Sequence, residues 1–210
     1  AAITPFNSPL NTVAHKLAPA LAAGNAVVLK PAEQAPLSAM KLAEALTEAG
    51  LPPGWLNIVH GDGLVGSYLT DNQRVRYYTF TGSTEVGAVI QKAAGLRRTQ
   101  MELGNISGTI VCEDASFAIA IPRCTSTAFR KAGEVCTSLQ RIFVQRKIYR
   151  EFLAAFVEAA AALNVGDPRA KGTDIGPMIA ESEAIRAEAW VNEARSAGAT
   201  VLVGGRREGA

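Results

Sequence analysis

Apolar stretches rich in Val and Ile alternate along this chain with segments whose apolar residues recur at helical spacing. That alternation is the pattern of a parallel sheet covered by helices. Residues 25–30 (NAVVLK) read as a buried strand and 30–35 as a turn. Pro36 reads as the first residue of a helix, a position whose N–H has no helical partner. Ala39, Leu42, Ala43 and Leu46 then share one helical face, and Gly50 with Pro52 and Pro53 stops it. A second strand, 55–60, leads into the turn Gly61, Asp62, Gly63. A third, 77–81, leads into 82–87 (GSTEVG) and a helix reaching Ala94. Three such units predict a doubly wound α/β domain. Ligands of such sheets sit at the carboxyl ends of the strands, where these turns fall.

After 102–104 (ELG) the texture changes, and a boundary near residue 103 divides the chain. A short strand at 109–112 precedes a helix from Ser116 that contains Pro122. Residues 133–136 (GEVC) read as a loop, 141–145 as a strand and 149–163 as a strongly periodic helix. The Gly-, Asp- and Pro-rich stretch 164–178 reads as a long loop, followed by a helix over 181–197 and a strand over 200–203.

The 210 residues are 48% hydrophobic and 19% charged, with a formal net charge of +2. A chain of this size buries a sizeable core without disulfides. Near-neutrality removes the electrostatic footprint of a nucleic-acid binder. The two basic pairs, Arg97-Arg98 and Arg206-Arg207, read as solvated surface. The longest uncharged apolar run, 17–29, is interrupted by Pro19, Gly24 and Asn25 and falls short of the roughly 18 apolar residues a membrane span needs. The start lacks the basic and apolar regions of a signal peptide, and both ends read as cut. Cys112, Cys124 and Cys136 are too few and too scattered for a disulfide framework or a structural zinc site, and His15 and His60 are distant in sequence. Free thiols point to a reducing, cytoplasmic setting.

Taken singly, the candidate residues each have a bland reading beside a chemical one. Cys112 in the strand run 109–112 and Cys124 on the inner side of a helix read as core. Cys136 lies among small polar residues, where an accessible thiol can act as a nucleophile or simply be an idle loop residue. The turn 82–87 can meet a phosphate with its backbone N–H groups, or be a helix start capped by Ser83 or Thr84. Lys30 and Glu33 follow a strand, where a carboxylate can take both ribose hydroxyls or be part of a solvated turn. Glu102 can be a general base or a surface residue.

Five motifs in register change that balance: ITPFNSPL (3–10), KPAE (30–33), FTGSTEVG (80–87), ELG (102–104) and GEVC (133–136), with 34 residues separating Glu102 from Cys136. Together they closely resemble the NAD(P)-dependent aldehyde dehydrogenase superfamily. The likeness runs from residue 3 through GDP (166–168) and DIGP (174–177) to the end. Phe6 and the segment 133–144 look most like its lactaldehyde and non-phosphorylating glyceraldehyde-phosphate branch. The resemblance implies an internal fragment covering under half of an enzyme. Residues 1–103 would be the later part of a Rossmann-like NAD(P)-binding domain, a parallel sheet with helices on both faces. Residues 104–210 would be the first part of a second α/β, catalytic thiol domain.

The resemblance also implies roles. Cys136 would attack the aldehyde carbonyl, the Asn7 amide would help hold the oxyanion, and Glu102 would activate water against the thioester. Lys30 and Glu33 would contact the adenosine ribose, Glu33 favouring NAD over NADP. Gly82, Ser83 and Gly87 would lie by the pyrophosphate, with Phe6 and Leu103 also on the cofactor. The implied partners are a small aldehyde and further copies of the chain, as a dimer or tetramer, with no metal. Asn105 and Gly108 depart from the family's usual Gly or Ser and Pro after the base, and Ser8 stands where a bulky aromatic is common. Two other readings compete: a CoA-acylating relative, against which Glu102 argues, and a catalytically incomplete module that only binds nucleotide or a partner.

Overall fold

The first sheet grows in two directions from a strand of two residues. In the computed structural model, which describes residues 1–207, β1 (Ala2–Ile3) pairs in parallel with β2 (Val27–Lys30) on one side and β4 (Tyr77–Thr81) on the other. β3 (Leu56–Ile58) extends the sheet beyond β2, and β5 (Arg98–Glu102) extends it beyond β4, giving the order β3-β2-β1-β4-β5. Four helices connect these strands: α1 (Asn11–Ala22), α2 (Leu37–Glu48), α3 (Gly63–Asp71) and α4 (Thr84–Ala94).

Alternation along β1 sorts the helices onto the two faces. Ala2 belongs to a core with Val13 and Leu17 of α1, Ala39 of α2, and Val27 and Leu29 of β2. Its neighbours Ala1 and Ile3 pack into the opposite core, made by Tyr78 and Phe80 of β4 with Ile90 and Ala94 of α4. The doubly wound architecture with helices on both faces is therefore present. Pro36 precedes α2 as its cap and accepts from Met40 N at 3.1 Å, one residue earlier in the helix than its expected role.

Four elements went unread in the sequence: α3, which follows the Gly61–Gly63 turn, and three others. α1 contains Pro19 and merges with the apolar run that follows it. β1 is too short to show a period. β5 (RTQME) is polar, because it is an edge strand whose ladder to β4 runs from Tyr77–Arg98 to Thr81–Glu102. The strand at 25–30 begins at Val27, since Asn25 instead donates to Ala20 O at the end of α1.

Arg97 corrects the surface reading of the Arg97-Arg98 pair. Its guanidinium donates to Ala94 O (3.0 Å), Asn72 O (3.2 Å), Thr70 O (2.9 Å), Ala93 O (2.6 Å) and the Tyr78 hydroxyl (2.6 Å). One side chain thus closes the ends of α3 and α4 and the buried phenol between them.

The chain divides into two compact units, the first Ala1–Gly104 and the second beginning at Asn105. The second holds a parallel pair, β6 (Gly108–Val111) and β7 (Arg141–Val144), connected by α5 (Phe117–Phe129). α6 (Tyr149–Ala161) packs on α5, through Phe152 edge-on to Phe117 and Phe156 stacked on Phe129. α7 (Glu181–Ser196) follows the long loop. The strand expected over 200–203 does not form. No strand lies beside it among the described residues, and Val201 and Val191 instead crowd Gly205. Cys112 is exposed rather than core: Val111 takes the inward position at the end of β6 and Cys112 lies beyond it, while Cys124 is buried as read.

Replacing Arg97 by Ala leaves several half-buried carbonyls and a phenol without their donor. Arg97→Ala is expected to lower unfolding stability by about 3 kcal/mol, since hydrogen bonds from a charged donor are the stronger kind. Arg97→Lys recovers less than half, because an ammonium cannot fork to five acceptors. Urea unfolding midpoints check this, and a loss below about 1 kcal/mol for Arg97→Ala overturns it.

Candidate functional site

The strand order places a reversal between β1 and β4. The chain winds outward from β1 through β2 to β3, then returns to β4 and winds the other way to β5. Carboxyl ends of neighbouring strands diverge at such a switch point, and the crevice left there is where open α/β sheets bind ligands. Most of the residues expected to contact a cofactor lie around it.

On the β1 side, the chain leaves Ile3 through Thr4 and then Phe6 and Asn7, which are half-buried ahead of α1. Ser8 O accepts from Thr12 N at 3.0 Å and from the Thr12 hydroxyl at 2.5 Å, so the 6–8 bend is fastened to the first turn of α1. Next to it, Lys30 ends β2 in register with Ile3. Lys30 is buried, and its ammonium donates to Pro31 O at 3.4 Å. Burial pulls its pKa down, while Glu33 and Asp62 pull it up. The Thr4 hydroxyl, also buried, has no hydrogen-bond partner. A buried ammonium with one long hydrogen bond and a buried hydroxyl with none are polar groups suited to a polyhydroxylated ligand. Glu33 stands exposed in the turn that follows.

On the β4 side, Gly82 N donates to Glu102 O at 3.1 Å, and Ser83 caps α4 by accepting from Val86 N at 3.2 Å. The cap reading of the GSTEVG turn is therefore correct as far as Ser83 Oγ goes. The N-terminus of the 11-residue α4 still opens at the switch point, where its dipole favours negative charge. A Cβ on Gly82 would stand 2.4 Å from the Phe80 ring, and one on Gly87 would stand 2.4 Å from Leu103 Cδ2. Gly82 lets the chain fold over Phe80. Gly87 lets Leu103, just past β5, lie directly on α4.

Glu102 ends β5 exposed, and Gln100 Nε2 donates to its Oε1 at 3.1 Å. Behind it runs a connection that the sequence reading missed. The Gln100 Oε1 accepts from the Thr79 hydroxyl at 2.5 Å, and Thr79 Oγ1 accepts from Lys16 Nζ at 3.0 Å. Lys16 is buried on the inner face of α1, and burial lowers its pKa to about 8, against an upward pull from the Glu102 carboxylate. The signal for Lys16 was present: a lone Lys between Val13 and Leu17 breaks the apolar face of that helix.

The thiol belongs to the second unit. α5 ends at Phe129, and the turn Arg130–Gly133 carries Lys131 (φ 52°) and Ala132 (φ 53°) in the left-handed region. Cys136 follows, exposed, with Ser138 buried two residues on. Ser138 Oγ donates to Gly133 O at 3.1 Å, Ser138 N to Val135 O at 2.9 Å, and the Arg130 guanidinium to Thr137 Oγ1 at 2.7 Å. Cys124, by contrast, is buried and its thiol pKa is raised. Among the described residues no cluster of His, Cys, Asp and Glu could hold a metal, and no helix is long and apolar enough to cross a membrane.

The chain matches the aldehyde dehydrogenase family over residues 1–210. It belongs to that family. Its sequence is 53% identical, over 100% of its length, to a 3-sulfolactaldehyde dehydrogenase of Priestia aryabhattai, of which it covers 44%. It superposes with a TM-score of 0.96 and 39% identity on a Mycobacterium tuberculosis aldehyde dehydrogenase complexed with NAD+, covering 99% of this chain and 43% of that one. The glyceraldehyde-3-phosphate dehydrogenase GapN of Methanocaldococcus jannaschii, complexed with NADP, gives a TM-score of 0.94 at 40% identity, over 99% of this chain and 46% of that one. The chain thus spans under half the length of these relatives.

Because Glu102 raises the Lys16 pKa, removing its charge lowers it. Glu102→Gln is expected to move the Lys16 titration, followed by NMR of its side chain, from about 8 to a lower value. The sign for stability follows. Between about 8 and 10.5 the unfolded state binds more protons at this lysine, so its contribution to stability rises with pH across that window. A Lys16 midpoint at its ordinary value near 10.5 overturns both statements.

Proposed function

We propose that this chain carries the reacting residues of an enzyme that oxidises an aldehyde to a carboxylic acid with NAD(P). The observation that carries the reading is the presentation of Cys136. It is exposed on a loop whose neighbouring polar groups are tied down, whereas Cys124 is buried with a raised thiol pKa and Cys112, also exposed, directly follows the end of β6. An aldehyde has no leaving group, so covalent capture creates the carbon from which a hydride can depart.

In this reading the Cys136 thiolate attacks the carbonyl carbon and forms a thiohemiacetal. The Asn7 side-chain amide and the Cys136 N–H donate to the developing oxyanion, the kind of aimed donor worth about 10²–10³ in rate. The cofactor, when bound, supplies the acceptor for the hydride. Glu102 then takes a proton from water as that water attacks the thioester, and Cys136 leaves as thiolate. Lys30 and Glu33 hold ribose hydroxyls, and the start of α4, with Gly82, Ser83 and Gly87, faces the pyrophosphate. Phe6 and Leu103 supply apolar walls. What supports the cofactor assignment is the half-satisfied polar pair Lys30 and Thr4 at the switch point. Segments 1–103 and 104–210 take the cofactor-binding and thiol roles respectively. The same reading has the intact enzyme working in the cytoplasm as a homo-oligomer, a dimer or tetramer. The exposed Val86, Val89 and Leu96 are apolar surface such an assembly can cover.

In the intact protein, Cys136→Ala is expected to cut NAD(P)H formation at 340 nm by about a thousandfold or more, as loss of a nucleophile does. Retained turnover ends the reading. Glu102→Gln is expected to slow hydrolysis by about 10²–10⁴ and let an acyl-enzyme accumulate, visible in the intact mass. Parent-like hydrolysis in Glu102→Gln removes Glu102 as the base, whereas turnover that needs CoA favours the CoA-acylating alternative. For cofactor choice, Glu33→Gln removes a carboxylate that repels a 2′-phosphate, so the ratio of kcat/KM for NADP over NAD should rise. An unchanged ratio removes Glu33 from that role.

A further inference from the structure

The turn before Cys136 stores strain, and something must hold it. Lys131 and Ala132 are non-glycine residues at φ 52° and 53°, followed by Gly133 at 79°. Such residues cost about 1–3 kcal/mol each and persist only where their surroundings over-determine them. The hydrogen bonds within the loop do part of this: Glu134 N to Lys131 O at 3.0 Å, Val135 N to Gly133 O at 2.8 Å, and Ser138 Oγ to Gly133 O at 3.1 Å. All of these partners lie within eight residues of chain, so they shape the loop without fixing where it sits.

The Glu134 side chain reaches much further. Both carboxylate oxygens accept from Ile179 N, at 3.3 and 3.2 Å, across 45 residues of sequence. Ile179 lies just before α7, in the stretch that carries the GDP and DIGP motifs, for which the proposed chemistry has no use. That stretch is stitched to itself. Asp174 Oδ2 accepts from Asn164 N at 2.9 Å, and Asp174 N donates to Asn164 O at 2.8 Å. Asn164 Nδ2 donates to Gly172 O at 2.9 Å, Gly166 N to Ile175 O at 3.0 Å, and the Thr173 hydroxyl to Asp167 O at 2.8 Å. Residues 164–175 thus form a braced loop, and Ile179 follows it four residues on.

We propose that Glu134 is a positioning residue for Cys136, clamping the strained nucleophile loop, through Ile179 N–H, to the segment that follows the braced 164–175 loop. The proposal rests on Cys136 being the nucleophile. It also gives the GDP and DIGP motifs a task, which is to hold that N–H still. What the clamp requires is an acceptor of the right length rather than a charge. Burial already pushes the Glu134 pKa up, with Glu183 adding to it and the Ile179 N–H and Arg186 opposing. A glutamine carbonyl can take the same N–H, whereas an aspartate is one methylene short.

The test compares Glu134→Ala, Glu134→Asp and Glu134→Gln in the intact protein. It reads the pH profile of Cys136 alkylation by iodoacetamide alongside steady-state kinetics. Glu134→Gln is expected to keep the parent alkylation rate and kcat within about twofold, while Glu134→Asp and Glu134→Ala lower kcat by about tenfold to a hundredfold, the scale of an ångström-sized misplacement of a reacting group. KM for the aldehyde should move less than about threefold, since binding is not what the clamp serves. Alkylation of Cys136 in those two variants should depart from the parent rate at every pH. Parent-like alkylation and kcat in Glu134→Asp overturn the proposal, as does a Glu134→Gln as impaired as Glu134→Ala. Should Glu134→Ala fail to fold, the Asp and Gln pair decides by itself. Cys136→Ala separates the two layers: full activity there removes the nucleophile reading, whereas lost activity there with parent-like Glu134→Asp removes only the clamp.

Discussion

Parallel pairing on both sides of β1 is the constraint from which the first unit follows. Ala2 and Ile3 exchange backbone hydrogen bonds with β2 on one edge and β4 on the other, so two residues join both halves of a five-stranded sheet. Because the strand is covered on both faces, its side chains must suit two cores at once. Ala2 is fully buried under α1 and α2, while Ile3 turns to α4. Winding outward from one shared strand also creates the divergence between β1 and β4. The crevice there is a consequence of topology, before any particular side chain is considered.

Buried polar groups near that crevice and under α1 are costly to the fold. Lys30 at the end of β2, Thr4 just past β1 and Lys16 on the inner face of α1 are all nearly excluded from water, and an ammonium or hydroxyl there loses more hydration than its few partners return. Arg97, on the opposite face and half-buried, shows what a purely structural cation looks like. Its donors are spent on carbonyls and a phenol at the ends of α3 and α4. The contrast in satisfaction separates a cation that braces the fold from those available to a ligand or a carboxylate. The second unit shows the same economy in its backbone: left-handed Lys131 and Ala132 stand immediately before the exposed thiol, held by bonds that reach as far as Ile179.

Much of this was legible in order along the chain. Apolar runs ending in turns located β2, β3 and β4, and helical periodicity located α2, α4, α5, α6 and α7. The elements that escaped were those whose signal is not local. β5 is polar because it is an edge strand, and β1 is too short for any period. Residues 200–203 have the composition of a strand and no neighbour to pair with among the described residues. Cys112 sits in an apolar run, yet lies one position past the inward-facing Val111.

The sequence by itself determined the family, the alternation of strand and helix, and the residue types able to attack a carbonyl, accept a proton or meet a phosphate. Those properties reside in local pattern and in motif spacing. Tertiary structure alone decided which polar residues are buried and which of them are satisfied. Lys16 is joined to Glu102 through Thr79 and Gln100 because its side chain reaches from α1 to β4, and those four residues span 86 positions of chain between first and last. Arg97 became a brace and Glu134 a clamp for the same reason. A hydrogen bond depends on the distance between two groups in space, and no pattern local to either partner specifies that distance.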